Sequence, residues 1–218
     1  MRIGTWNLEG RWTDAHRLLI EAMDCDIWLL TEVSERLSID GYHLHRSKAL
    51  MAQKRHWAGI LSRRPLIPMP DPHPASAMAQ MTDLTVCSSI LPWKGSGGHA
   101  PWIGARHVDR TEATLIDLDR ALPRSALVWG GDWNHALSGK EWAGSIGGRR
   151  HVLDLLEGRG MQVPTADLAH RIDGLLSIDH IGLSGDLACQ QATRFIAQDP
   201  DGRRLSDHDG YLLALPHA

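Results

Sequence analysis

Short apolar runs of strand length recur along this chain, and several follow one another with no helix-length segment between them. The strands are predicted at 1–7, 26–31, 42–45, 58–62, 81–91, 126–130, 177–183, 193–197 and 211–215. Helical spacing of apolar residues predicts helices at 13–23, at 108–122 and around 152–156, the last ending near Gly158 or Gly160. Directly successive strands favour mixed sheets over a purely parallel sheet. Two sheets packed face to face, with outer helices, would accommodate this order.

Length and composition fit one globular domain over residues 1–218. Hydrophobic residues make up 43% and charged residues 22% of the chain, which is ordinary for a folded protein. A chain of 218 residues can bury about 70% of its unfolded surface, enough for a core of its own. Neither a repeat of fixed period nor a low-complexity segment divides the sequence.

The charge balance argues against tight, non-specific DNA binding by the whole domain. The chain has 23 basic and 26 acidic residues, for a formal net charge of −3. Nucleic-acid affinity depends largely on Lys and Arg that neutralise phosphates. Any nucleic-acid contact would therefore have to come from a local basic patch.

Cysteine usage and the absence of targeting patterns indicate a reducing compartment. Cys25, Cys87 and Cys189 are isolated, with no CxxC spacing, so neither a disulfide framework nor a cysteine zinc site is expected. The first residues lack a signal-segment pattern, and no apolar run could span a bilayer. We expect a soluble cytoplasmic protein with no membrane span and no evident obligate protein partner.

Two stretches between the predicted elements read as loops. Several prolines make 65–74 a loop or a sheet edge, since proline cannot donate to a β-ladder. Residues 94–107 form a long loop that contains Gly and Trp, of a length that is usually functional in a compact domain.

Polar residues cluster where the apolar runs end, the positions at which side chains can face a cleft. These residues are Asn7, Glu32, Asp132, Asn134, Asp179, His180, Asp207 and His208. Taken singly, each is commonly a cap, a turn or a surface residue. Taken together, at successive strand ends, they favour a catalytic site.

The residue types at these positions suit phosphate-ester chemistry with a metal ion. Hard cations such as Mg²⁺ prefer oxygen ligands, and the carboxylates of Glu32 and Asp207 would suit one. Asn7 could help to place the cation or the phosphate, and Glu9 is a nearby second candidate.

The remaining groups suit the reaction itself. Asp132 could orient or deprotonate an attacking water, and Asn134 could donate a hydrogen bond. His208, oriented by a carboxylate, could stabilise the transition state of phosphoryl transfer.

Motifs along almost the whole chain resemble those of the endonuclease/exonuclease/phosphatase superfamily, in that family's order. They are Thr5-Trp6-Asn7 with Glu9-Gly10, Leu30-Thr31-Glu32, Gly131-Asp132-Trp133-Asn134, Ile178-Asp179-His180-Ile181 and Ser206-Asp207-His208. Each motif alone is weak evidence, but five in order are a strong signal. The resemblance implies a four-layer α/β sandwich, with the site at one end of two packed mixed β-sheets flanked by helices.

The resemblance also implies roles for the motif residues. It places Mg²⁺ or Mn²⁺ on Glu32, with Asn7 and Asp207 close by. It implies that Asp132 and Asn134 flank the attacking water and the phosphate. His208 would face the phosphate and Asp179 would orient it.

One position departs from the family pattern. Many members carry a phosphate-contacting histidine after a strand, where this chain has Ile90-Leu91 after Ser88-Ser89. His99, Arg106 or His107, from the following loop, could supply the missing contact. Trp93 and Trp102 flank this loop and could stack on a substrate, although packing that anchors the loop is at least as plausible for them.

Three functions are consistent with these residues and motifs. The leading one is a divalent-metal-dependent hydrolase of phosphate esters that acts on nucleic acid, with DNA as a candidate substrate. The second is a phosphatase or phosphodiesterase of a small molecule or a lipid head group. The third is an inactive binding protein that retains the fold, which the presence of all the main acidic and amide positions argues against.

Overall fold

The structure is a computed structural model, and it describes residues 1–216. The strands are β1 (Arg2–Asn7), β2 (Ile27–Ser34), β3 (His43–Arg46), β4 (Leu50–Ala52), β5 (Arg55–Ser62), β6 (Ile67–Pro68), β7 (Ser76–Gln80), β8 (Thr85–Ser89), β9 (Leu127–Asp132), β10 (Asp179–Leu183), β11 (Gln191–Phe195) and β12 (Gly210–Ala214). The helices are α1 (Asp14–Met23), α2 (His107–Ala121) and α3 (Ile146–Gly158).

The strands form two mixed sheets, as the order of the apolar runs predicts. Sheet A is seven-stranded, with the order β11-β12-β1-β2-β5-β3 and with β4 also paired to β5. Sheet B is five-stranded, with the order β10-β9-β8-β7-β6. The β1–β2 and β8–β9 pairs are parallel, and the other pairs between these strands are antiparallel.

Three apolar clusters bind the layers together. Ile3, Ile27 and Val86 belong to the cluster between the two sheets. A second cluster joins the outer face of sheet A to α1, and a third joins the outer face of sheet B to α2 and α3. The predicted four-layer α/β sandwich, helix on sheet on sheet on helices, is therefore confirmed.

Strand β2 shows why the central strands read as continuous apolar runs. Ile27 and Leu29 point into the cluster between the sheets, whereas Trp28 and Leu30 point into the cluster below α1. A strand that is covered on both faces loses the alternation of apolar and polar residues. Its sequence then gives only the length and the end of the strand.

Several element boundaries differ from the prediction. Strand β2 continues past Glu32 to Ser34, and the run predicted at 81–91 is a strand only at Thr85–Ser89. Strands β4 and β7 were not predicted. The β7 segment Ser76–Gln80, rich in Ser and Ala, has weak strand propensity, but it is buried and pairs along its whole length with β8.

Cys25, Cys87 and Cys189 are free. Within residues 1–216, no helix combines the length and the apolar character that a membrane crossing requires.

Candidate active site

Strand ends from both sheets meet at one edge of the sandwich. Asn7 is the last residue of β1 in sheet A, and Asp132 is the last residue of β9 in sheet B. The Nδ2 atom of Asn7 donates to Oδ2 of Asp132 at 3.0 Å, across the interface between the sheets. Asp179 begins β10 and lies directly opposite Asp132 in the antiparallel register. Residues far apart in the chain thus share one site.

The Asn7 amide is the centre of this arrangement. Its Nδ2 atom also donates to Oε1 of Glu32 at 3.3 Å, and its Oδ1 atom accepts the backbone N–H of Glu9 at 2.9 Å. Asn7 is 1% exposed. The amide therefore fixes the Glu32 and Asp132 carboxylates relative to each other.

His208 forms an ion pair with a buried carboxylate. Its Nδ1 atom lies 2.7 Å from Oδ2 of Asp179, which leaves Nε2 directed to the site, 3.9 Å from Oδ2 of Asp132. Burial alone would lower the pKa of His208, but the charges of Asp179 and Asp132 outweigh it and raise that pKa. The imidazole is therefore positively charged at neutral pH and can donate from Nε2.

Asp132 has the opposite character, a buried carboxylate that binds a proton more readily than usual. Burial and, after it, the charge of Asp179 raise the pKa of Asp132. Its Oδ1 atom accepts the backbone N–H of Asn134 at 3.0 Å, which fixes the orientation of the carboxylate. A proton acceptor and a charged donor, His208, thus stand side by side.

The approach of β9 to β8 depends on Gly131. This residue has a φ of +122°, and a Cβ atom there would lie 2.2 Å from the carbonyl oxygen of Ser89. Only glycine allows this contact. It places Asp132 at the edge of sheet B.

Backbone conformations that are uncommon outside glycine also concentrate here. Glu9, Glu32 and Asn134 all have φ values near the left-handed region, at 53°, 51° and 52°. Such conformations cost of order 1–3 kcal/mol each and occur often at functional sites. The side chain of Asn134 is held in turn, because Nδ2 donates to the carbonyl oxygen of Leu91 at 3.0 Å.

Asp207 lies at the open side of the site. Its side chain is 54% exposed, with Oδ1 3.9 Å from Nε2 of His208. Its backbone N–H donates to Oε2 of Glu9 at 3.1 Å, so Glu9 also borders the site. The structure therefore brings together every predicted catalytic and metal-binding residue, namely Asn7, Glu32, Asp132, Asn134, Asp179, Asp207 and His208.

A sequence model described as the Endonuclease/Exonuclease/phosphatase family matches residues 4–208. This chain belongs to that family. Members of the family are hydrolases of phosphate esters. No curated protein sequence matches the chain.

Solved structures share the family fold at low sequence identity. An AP endonuclease from Archaeoglobus fulgidus has a TM-score of 0.75 and 16% identity, with 100% of each chain covered. The endonuclease domain of TRAS1, a telomere-specific non-LTR retrotransposon, has a TM-score of 0.68 and 16% identity, covering 99% of this chain and 98% of that one. An AP endonuclease from Leishmania major has a TM-score of 0.65 and 14% identity, covering 100% and 88%.

The loop residues predicted to contact substrate are mostly engaged elsewhere in this family member. Trp102 is 4% exposed and stacks on His73, so it anchors the loop and is not a free stacking surface. Both ring nitrogens of His107 are occupied, Nδ1 by Ser145 and Nε2 by the Pro92 carbonyl, each at 2.8 Å.

The two other candidates from that loop differ from each other. Arg106 points to solvent and forms an ion pair with Asp109 in the first turn of α2. Trp93 is half-buried, with its edge against Trp102, so part of its ring stays accessible.

Sequence reasoning also missed residues that shape the site. Nη1 of Arg55 lies 2.6 Å from Oε2 of Glu32, and its guanidinium packs against Gly10, where a Cβ atom would clash with it. Arg55 comes from β5, so no motif links it to Glu32. The register of β2 with β5, which places Arg55 opposite Ser34, is the signal that would have been needed.

The side chains of the site suit a divalent cation, although an ion pair already joins two of them. Polar atoms of Asp132, Asp179 and His208 lie within 4.8 Å of one another. The charged His208 ring has no free lone pair for a cation, so the carboxylates are the candidate ligands of this group. The hydrogen bond between His208 and Asp179 already joins two of these groups. Oδ1 of Asp179 is buried and has no partner within the described residues. Glu32 and Asn7 add oxygen ligands of the kind that hard cations prefer.

Proposed function

We propose that this protein is a divalent-metal-dependent phosphodiesterase that cleaves nucleic acid. The observation that carries the proposal is the array across the two sheets, in which Asn7 bridges Glu32 and Asp132 while His208 pairs with Asp179. This array holds a proton acceptor and a charged donor next to each other in a buried setting. Preorganised charges of this kind stabilise a transition state more strongly than they would in water.

The chain's own residues then divide the work. Asp132 orients the attacking water and accepts its proton, because its raised pKa makes it a stronger base than an ordinary carboxylate. His208 donates from Nε2 to a phosphate oxygen, and Asp179 holds the ring and its charge. Asn7 and the backbone N–H of Asn134 hold the Asp132 carboxylate in place.

Glu32, with Asn7 and Asp207 close by, would hold Mg²⁺ or Mn²⁺. A bound divalent ion supplies charge neutralisation and polarises a phosphoryl oxygen.

A basic cleft beside the site supports a polymeric substrate. The cleft has a volume of about 370 Å³, and its lining includes four cations, Arg11, Arg36, Lys54 and Arg55, and one carboxylate, Glu35. This cleft is a local patch in a chain of negative net charge, and it adjoins Glu32 through Arg55. Neighbouring phosphates of a nucleic acid would need such cations, whereas a small ester would not. The structural neighbours named as endonucleases support the same substrate class.

The test of this function is hydrolysis of a substrate panel with Mg²⁺, Mn²⁺ or EDTA. The panel contains single- and double-stranded DNA, an abasic duplex, RNA, and small phosphate mono- and diesters. Metal-dependent cleavage of a nucleic acid, with affinity that falls steeply as salt rises, is the expected result. Turnover of small esters alone, without a salt effect on binding, would reassign the protein to small-molecule substrates. No turnover and no metal binding would indicate an inactive binding protein.

The metal proposal predicts the behaviour of Glu32→Gln. The change removes a carboxylate ligand but keeps the shape of the side chain, so Mn²⁺ binding should weaken by at least about tenfold. Calorimetric titration of the protein with Mn²⁺ measures this without substrate. Glu112→Gln is the matched control, because Glu112 is an exposed residue of α2 that lies outside the site. Equal Mn²⁺ affinity for both variants would place the metal elsewhere.

The predicted cytoplasmic location stays a prediction. The free thiols of Cys25, Cys87 and Cys189 are compatible with a reducing compartment.

A further inference from the structure

A second histidine lies close to His208. His170 lies in the segment between α3 and β10, and its ring centre is 6.5 Å from that of His208, with the two rings perpendicular. The ring also packs against Trp142 at 4.6 Å. His170 is 5% exposed, so its side chain is packed into the protein and is not a mobile surface group.

The hydrogen bonds of His170 define where its proton sits. The Nδ1 atom accepts the backbone N–H of Ile172 at 3.1 Å, so a neutral ring carries its proton on Nε2. Within residues 1–216, Nε2 has no hydrogen-bond partner, and part of its surface is open to solvent. Burial, and then the charge of His208, lowers the pKa of His170 to about 4. The ring is therefore a neutral donor at physiological pH.

An ion triad fixes His170 relative to His208. Nη1 of Arg194 donates to the carbonyl oxygen of His170 at 2.9 Å, and Arg194 also pairs with Asp209 at 2.5 Å. Asp209 pairs in turn with Arg204, which donates to the carbonyl oxygen of His208 at 3.0 Å. The buried carboxylate of Asp209 thus links the backbone of both histidines.

We propose that His170 is a second substrate-contacting histidine, which donates from Nε2 to an oxygen of the phosphate that His208 also contacts. The inference rests on the phosphodiesterase function proposed above. Each hydrogen bond spans about 2.8 Å between heavy atoms, so two rings at this spacing can reach different oxygens of one phosphate. His170 then supplies, from another loop, the contact that is missing at Ile90. His107 cannot supply it while both of its nitrogens are engaged.

Two substitutions at this position separate the donor from the packing. His170→Asn keeps an acceptor near the Nδ1 position for the Ile172 N–H but removes the donor at Nε2. His170→Gln places an amide donor near the Nε2 position. We expect His170→Asn to lower kcat/KM for bis(p-nitrophenyl) phosphate with Mg²⁺ about 10- to 100-fold, and His170→Gln to keep most of the activity. The loss is smaller than for a sealed donor because Nε2 borders solvent.

His43→Ala, an exposed histidine on β3, is the control and should match the wild type. Equal activity of His170→Asn and the wild type, with both folded by their melting temperatures, would overturn the role of His170 and leave the phosphodiesterase function intact. A loss in His99→Ala, with none in His170→Asn, would transfer the contact to the 94–107 loop.

A spectroscopic measurement tests His170 even if the wild type has no turnover, in which case the proposed function fails separately. Histidine side-chain ¹⁵N spectra should show His170 as the neutral tautomer protonated on Nε2. Addition of inorganic phosphate should shift that signal in the wild type and leave the His43 signal unchanged. A ring protonated on Nδ1, or an Nε2 signal that phosphate does not move, would contradict the inference.

Discussion

Replacing Asp132 with alanine is expected to lower the rate of phosphodiester cleavage about 100- to 1,000-fold while the protein stays folded. In the proposed mechanism, Asp132 accepts the proton of the attacking water. It is also the oxygen partner that Asn7 and the Asn134 N–H hold in place. Its removal relieves repulsion with Asp179, so a loss of stability is not the expected cause of a lower rate. Single-turnover kinetics on the best substrate of the panel measures the effect on the chemical step.

Asp40→Ala is the matched control, since Asp40 is exposed and lies outside the site. A double variant, Asp132→Ala with His208→Ala, adds a second check. When two groups act as one unit, removing both lowers the rate far less than the two single losses added together would predict. A loss of less than tenfold in Asp132→Ala, or fully additive losses in the double variant, would show that Asp132 and His208 do not act in one step.

The site residues predicted from the sequence are those that lie at the ends of buried strands. Asn7 and Asp132 each come directly after an apolar run. Where the end of a buried strand can be predicted, the polar residue at that end is expected at the edge of the sheet. Two such edges meet because the sheets pack face to face. Short motifs thus carry enough local information to predict which residues come together in the candidate site.

The residues that the sequence did not reveal depend on tertiary pairing. Arg55 reaches Glu32 only through the register of β2 with β5. His170 comes close to His208 on a loop that Arg194 contacts through the His170 carbonyl oxygen. The loop at 94–107 shows the same limit, since its sequence leaves open whether Trp102 and His107 face a substrate or the core, and the structure packs them against His73 and Ser145. Loop side chains have no periodicity that reports which way they point.

Asp209 illustrates the same limit, because none of the sequence motifs includes it and the structure buries its side chain completely between two arginines. Burial alone would raise the pKa of Asp209, but hydrogen bonds from Arg204, the Ala197 N–H and Arg194 outweigh it and hold that pKa below its usual value. A buried carboxylate that accepts this many hydrogen bonds helps to hold the segments that carry its donors in place. Its loss should affect folding as well as the site.

Asp209→Ala is expected to lower the free energy of unfolding by about 3 kcal/mol at pH 7, near the lower end of the range for breaking a buried ion pair. The lower end applies because the side chains of Arg194 and Arg204 are 27% and 36% exposed and can turn to water. Urea denaturation measures the change, with Asp201→Ala, an exposed aspartate of the β11–β12 connection, as the control.

The pH dependence of this loss identifies the carboxylate as its source. Because the pKa of Asp209 is lower in the folded protein than in the unfolded chain, its contribution is complete above the unfolded pKa of about 4 and is lost as pH falls through the folded value. The difference between the wild type and Asp209→Ala should therefore be constant from pH 7 to pH 5 and shrink below about pH 4. Asp209→Asn keeps the shape without the charge and should lose most of the same stability. A difference that stays constant to low pH, or an Asp209→Asn protein as stable as the wild type, would mean that packing at this position, and not its charge, holds the two histidine-bearing loops together.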